Sequence, residues 1–144
     1  MVLLTENDVV QAVADHLAAE GYRIDKVLST VERGVDIVAV HPATGRRLLV
    51  EAKGGTSSKA ASARFGKPFD SKQAKSHVSV AFYYAAKLLQ QHSPEGAQVA
   101  LALPDDANHR ALVEDLSSAL RVLRISVFFV DAARRVTALP FAAG

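Results

Sequence analysis

At 144 residues, 49% hydrophobic and 22% charged, the chain has room for one domain with a real core and lacks the composition of a disordered segment. It contains no cysteine, which excludes a disulfide framework, a thiolate metal site and a cysteine nucleophile. The formal charge is only +2 but is unevenly placed. Residues 53–94 carry seven Lys or Arg (Lys53, Lys59, Arg64, Lys67, Lys72, Lys75, Lys87) against one acid, Asp70, a local +6 that leaves −4 elsewhere. Such asymmetry suits a polyanion-binding face, because Lys and Arg gain affinity by displacing counterions from phosphates; a solvated basic loop would look the same. The N-terminus turns acidic at Glu6, too soon for a signal peptide, and no apolar run approaches the roughly 18 residues of a membrane span. The expectation is a soluble, cytoplasmic chain with no membrane partner.

Thr5, with Asp8 three residues on, is an N-cap candidate for a first helix whose apolar positions Val9, Val10, Val13, Leu17 and Ala18 recur at helical spacing until Gly21. Residues 22–28 read as a weak strand. The best hairpin signal follows: Val35-Asp36-Ile37-Val38-Ala39-Val40 and Leu48-Leu49-Val50-Glu51 flank a turn holding Pro42 and Gly45. Residues 54–68 form a polar, Gly/Ser-rich loop. Asp70 or Ser71 caps a long helix with Ala74, Val78, Ala81, Phe82, Ala85, Leu88 and Leu89 on one stripe, broken at Ser93-Pro94-Glu95-Gly96. A short buried strand over 99–103 stops at Pro104. A single helix is expected over 106–123, with Ala111, Leu112, Leu116, Leu120 and Leu123 inward, then a buried strand Ile125–Val130 and a short edge after Arg135. The order αβββαβαβ, without repeat or linker, predicts one α/β domain over residues 1–144: a mixed central sheet flanked by helices.

Strand side chains alternate, so Glu51 and Lys53 share a face while Ala52 points away. If Asp36 lies opposite Glu51, the hairpin is centred between Ala43 and Thr44, inside the turn that Pro42 and Gly45 mark. The register the chemistry needs is thus the one the turn implies. Opposed residues have Cβ atoms about 4.5–5.5 Å apart, and carboxylates that close repel unless a cation or proton lies between them. Mg²⁺ suits such a pair, since it prefers oxygen ligands and takes one or two carboxylates plus water and phosphate. It could polarise a phosphoryl group and acidify a bound water, while Lys53 orients that water or neutralises developing charge. The alternative is a surface cross-strand ion cluster.

Gly34-Val35-Asp36-Ile37-Val38-Ala39 followed by Leu49-Val50-Glu51-Ala52-Lys53 resembles the PD-(D/E)XK nuclease superfamily, with its restriction-endonuclease-like fold. Lone-domain members resembling Holliday-junction resolvases and Mrr-type endonucleases are the nearest in kind. The αβββαβ core of that family corresponds to residues 5–103, with a C-terminal αβ extension beyond it; Gly34 stands in place of the nominal Pro. The resemblance implies a Mg²⁺-dependent endonuclease acting on nucleic acid, most simply DNA, with Mn²⁺ able to substitute. It implies a metal set of Asp36, Glu51 and Ala52 and a water-assisting Lys53. It adds an acid from the first helix, Glu6 or Glu20, and a polar residue from the next long helix, Gln73, with Lys72, Lys75 and His77 nearby. Without the resemblance, Glu6 is equally a first-turn acid complementing the helix dipole, and Gln73 and His77 a polar helix face. Lys59, Arg64, Lys67, Lys72 and Lys75 are the expected nucleic-acid contacts. A homodimer is possible, because cutting two strands takes two sites.

Other chemistries find little footing. The five histidines lack metal-ligand spacing, no Gly-rich phosphate loop follows a strand, and Ser57-Ser58 has no nucleophile-elbow context. Tyr83-Tyr84 are expected to pack or reach an interface rather than stack on bases. The competing function is a nuclease-like domain that binds nucleic acid or a partner without cutting.

Overall fold

The computed structural model describes residues 3–27, 35–56 and 70–140. Of the residues singled out above, Gly34, Lys59, Arg64 and Lys67 lie outside them. Helix α1 (Glu6–Ala19) opens as its sequence dictates: Thr5 accepts from the Asp8 N–H, and the Asp8 carboxylate accepts from the Thr5 N–H, a complete capping box. It ends where Gly21 takes a positive φ of 96°. Three strands follow, β1 (Arg23–Val27), β2 (Ile37–Val40) and β3 (Arg47–Ala52), each antiparallel to the next.

Helix α2 (Ser71–His92) then leads through a 3-10 turn to β4 (Gln98–Pro104); α3 (Ala107–Asp115) and α4 (Ser117–Leu123) lead to β5 (Ile125–Val130), and β6 (Val136–Leu139) closes the chain. The six strands form one sheet in sequence order, parallel at β3–β4 and β4–β5 and antiparallel elsewhere. This is the expected α/β class with a mixed sheet. Both parallel crossovers step the same way across the sheet, so a common hand sets their helices on one face. Leu49, Val99, Leu101 and Val127 pack there against Val78, Ala81 and Ala85 of α2 and against Val113 and Leu120. The alternate residues, Leu48, Val50, Ala100 and Phe128, turn to the other face and α1.

One expectation needs correction. The helix expected over 106–123 is two helices, broken at Leu116, whose φ of −104° and ψ of 5° leave the helical region. The inward face also differs from the expected one: His109, Val113 and Leu120 are buried, whereas Ala111 and Leu123 are exposed. Tyr83 and Tyr84, expected to pack or to reach an interface, stand exposed on α2. Among the described residues, no helix is long and apolar enough to cross a membrane.

Candidate active site

The β2–β3 hairpin pairs Ile37 with Val50 and Val40 with Arg47, and Gly45 supplies the turn with a φ of 70°. Continued by one residue, that register sets Asp36 opposite Glu51, as the turn chemistry requires. Beyond Val50 the ladder bond from Ala52 would go to residue 35. Instead the Ala52 N–H donates to Asp36 Oδ2 at 2.8 Å, so the carboxylate replaces a strand bond and is fixed at the sheet's end. In an extended strand a residue's N–H and C=O point to the same side, so the Ala52 carbonyl is directed toward Asp36 as well. The Lys53 N–H turns the other way, to the Ala102 carbonyl on β4 at 3.0 Å.

Glu6 reaches this end of the sheet through a long-range contact that no local motif signals. After Lys53 the chain passes the start of α1, where Gly55 donates to the Leu4 carbonyl at 2.8 Å. At Gly54 a Cβ would lie 2.3 Å from the Glu6 nitrogen and 2.6 Å from the Thr5 carbonyl carbon, so only glycine permits the approach. The result is a carboxylate cluster around one cation. Lys53 Nζ stands 3.9 Å from Glu6 Oε1 and 4.0 Å from Glu51 Oε1. Glu20 caps the far end of α1 and pairs with His16 at 2.8 Å, so Glu6 is the acid that α1 brings to the cluster.

The electrostatics follow from crowding. Burial, then Asp36, push Glu51 up to about 8, with Lys53 opposing and Glu6 adding to the rise. Burial also raises Asp36, 9% exposed, against the pull of the Ala52 hydrogen bond and Lys53. Glu6 is raised by burial and by Asp36, and Lys53 again opposes. Three carboxyls in a half-dry pocket share one lysine, and the cluster is short of positive charge.

On α2, Asp70 is the N-cap and Gln73 completes a capping box, its Oε1 accepting from the Asp70 N–H at 3.0 Å. That carbonyl oxygen is committed to the helix end, so the contacts of Gln73 are those of a capping residue and do not join it to the carboxylate cluster. His77, one turn on, is half-buried, and burial, then the charges of Lys53 and His109, lower its pKa. Lys72 and Lys75 are exposed on the same helix. His109, passed over in the sequence, is 1% exposed. Its Nδ1 meets Asp106 Oδ1 at 2.7 Å, and its Nε2 is buried without a hydrogen-bond partner. The only signal for it was its place three residues after the capping Asp106.

Among the described residues, no group of three or more His, Asp or Glu side chains is arranged to hold a metal by itself. Magnesium does not require one, since one or two carboxylates suffice when water and phosphate complete the shell. Asp36, Glu51 and the Ala52 carbonyl are all hard oxygen donors, and the two carboxyls stand in need of a cation. The donor set fits Mg²⁺ or Mn²⁺ and does not fit a soft metal. No protein-family model, curated protein or solved structure matches the chain.

Proposed function

We propose that this protein is a divalent-metal-dependent nuclease of the PD-(D/E)XK kind that hydrolyses phosphodiester bonds of nucleic acid, DNA first among the candidates. The observation that carries the reading is the crowding of Asp36, fixed by the Ala52 N–H, and Glu51 at the hairpin end, with Lys53 between Glu51 and Glu6. Asp36 and Glu51, with the Ala52 carbonyl, would hold the ion. A bound Mg²⁺ supplies charge at the phosphoryl oxygen and lowers the pKa of a coordinated water. Lys53, steered by Glu6, stands where it can orient that water and offset charge developing on the phosphate. Lys72 and Lys75 present exposed cations to the strand's phosphates, a positioning role that carries no sequence information. A binding-only domain gains nothing from this cluster, because carboxylates without a cation repel phosphate.

The test is cleavage of a panel of labelled single strands, flaps, junctions, duplexes and RNA with Mg²⁺ or Mn²⁺, comparing wild type with Asp36→Ala and Lys53→Ala. The reading expects cleavage that chelator abolishes and both substitutions cripple. Cleavage indifferent to both substitutions would refute the site, and metal-independent binding without cleavage of any substrate would mark a binding module.

A further inference from the structure

A cleft of about 560 Å³ runs from Glu51 along α2, lined by Val35, Tyr84, Lys87, Leu88 and Gln91 among others. Apart from Glu51, its lining residues take no part in the reaction proposed above. Its donors are ordered by the helix: positions 84, 87, 88 and 91 recur on one face. Tyr84, 46% exposed, presents its ring there, braced edge-on by Tyr83 at 5.6 Å and 71°. Lys87 lies less than one turn further and is exposed. Leu88 and Val35 give apolar walls, and Gln91 offers both a donor and an acceptor. An aromatic face, a cation, a two-way amide and apolar walls, opening on Glu51, match one chemical class: a nucleotide, with a flat base, polar edges and an anionic phosphate.

We propose that this cleft seats one unpaired nucleotide beside the scissile bond, its base stacked on Tyr84 and its phosphate held by Lys87. The inference rests on the nuclease reading of Glu51, and it narrows the substrate to strands with an unpaired base at the cut. A base inside an intact duplex has both faces covered and its pairing edge occupied, so it cannot reach the ring. The volume is that of a small-ligand site and far below that of a duplex segment.

The probe is a short single-stranded DNA carrying 2-aminopurine, with Ca²⁺ in place of Mg²⁺ to hold off cleavage, and affinity and base fluorescence as readouts. Wild type should bind and quench the base. Tyr84→Ala should weaken binding roughly tenfold and abolish quenching, and Tyr84→Trp should restore both. Lys87→Ala should weaken binding and reduce the steepness of its salt dependence by about 0.7 in log–log slope. Tyr84 is exposed, so its substitution spares the core. Single-strand binding unchanged in Tyr84→Ala would overturn the subsite, as would equally tight, Tyr84-independent binding of blunt duplex. If Asp36→Ala abolishes Mg²⁺-dependent cleavage while Tyr84→Ala leaves single-strand binding intact, the subsite fails and the nuclease reading stands. Tyr84-dependent quenching by a protein that cleaves nothing has the opposite meaning: the subsite stands and the nuclease reading fails.

Discussion

Replacing Glu51 with Gln should make the metal-free protein more stable, and only at high pH. Glu51 titrates at about 8 in the fold against 4.5 when unperturbed. Below 4.5 the carboxyl is protonated whether the chain is folded or not, and it costs nothing. As pH rises from there to about 8, the unfolded chain releases the proton that the folded chain retains. Native stability therefore falls over that window and levels off above it. The whole interval corresponds to roughly 5 kcal/mol at 1.36 kcal/mol per pH unit. Glu51 shares its charge repulsion with Asp36 and Glu6, and solvent screens a side chain still 12% exposed, so about 2 kcal/mol is the expected part. Gln keeps the shape and cannot ionise. In a domain of this size, 2 kcal/mol amounts to roughly 4–8 °C in Tm. The assay is thermal or urea denaturation in chelator, wild type against Glu51→Gln, near pH 5 and near pH 9. The two proteins should coincide at the lower pH, and Glu51→Gln should be the more stable at the higher. Added Mg²⁺ should raise the wild type alone. A Glu51→Gln protein equally or less stable than wild type near pH 9 would refute the account of a cluster short of positive charge.

Gly54→Ala places a methyl group against backbone atoms of Thr5 and Glu6 at 2.6 and 2.3 Å, where nothing flexible can yield. It should cost about 2 kcal/mol or more in denaturation, and displace Glu6 enough to lower cleavage in whatever protein remains folded. Lys53→Met removes the cation that competes with metal while keeping the stem, so calorimetry should find Mg²⁺ bound at least as tightly. Its cleavage rate should nonetheless fall about a hundredfold, as for loss of a group that stabilises developing charge. Lost metal binding in Lys53→Met would place Lys53 in a structural role instead. Thr5→Ala breaks the first capping box and should cost about 1 kcal/mol, measured by urea denaturation.

What the sequence made legible was what local chemistry dictates. Thr5 with Asp8 and Asp70 with Gln73 are short-range capping pairs, and Pro42 with Gly45 fixes a hairpin, so α1, α2 and the β2–β3 register could be read directly. The expected facing of Asp36 and Glu51 rests on strand alternation, and the described ladder ends one residue short of it, at Ile37 and Val50. The break at Leu116 was hidden, since leucines at 112, 116, 120 and 123 continue a helical period that the backbone abandons. His109 was nearly as hidden, because its place three residues after the capping Asp106 says nothing of its burial. The contact of Gly54 with α1 joins segments nearly fifty residues apart, and nothing local to Gly54 announces it. Between packing and reaching an interface, the sequence alone does not decide for Tyr83 and Tyr84; their exposure is visible only with α2 docked on the sheet by its other face.

The claim on which the rest depends is that Asp36, Glu51 and the Ala52 carbonyl converge on one divalent cation. Crystals soaked in Mn²⁺ and measured for its anomalous scattering test it most directly. The account predicts one peak about 2.0–2.3 Å from Asp36 and Glu51 oxygens, absent in Asp36→Asn, which keeps an acceptor for the Ala52 N–H and should fold as wild type. Ordered carboxylates with no manganese between them, or manganese bound elsewhere and unaffected by Asp36→Asn, would contradict it.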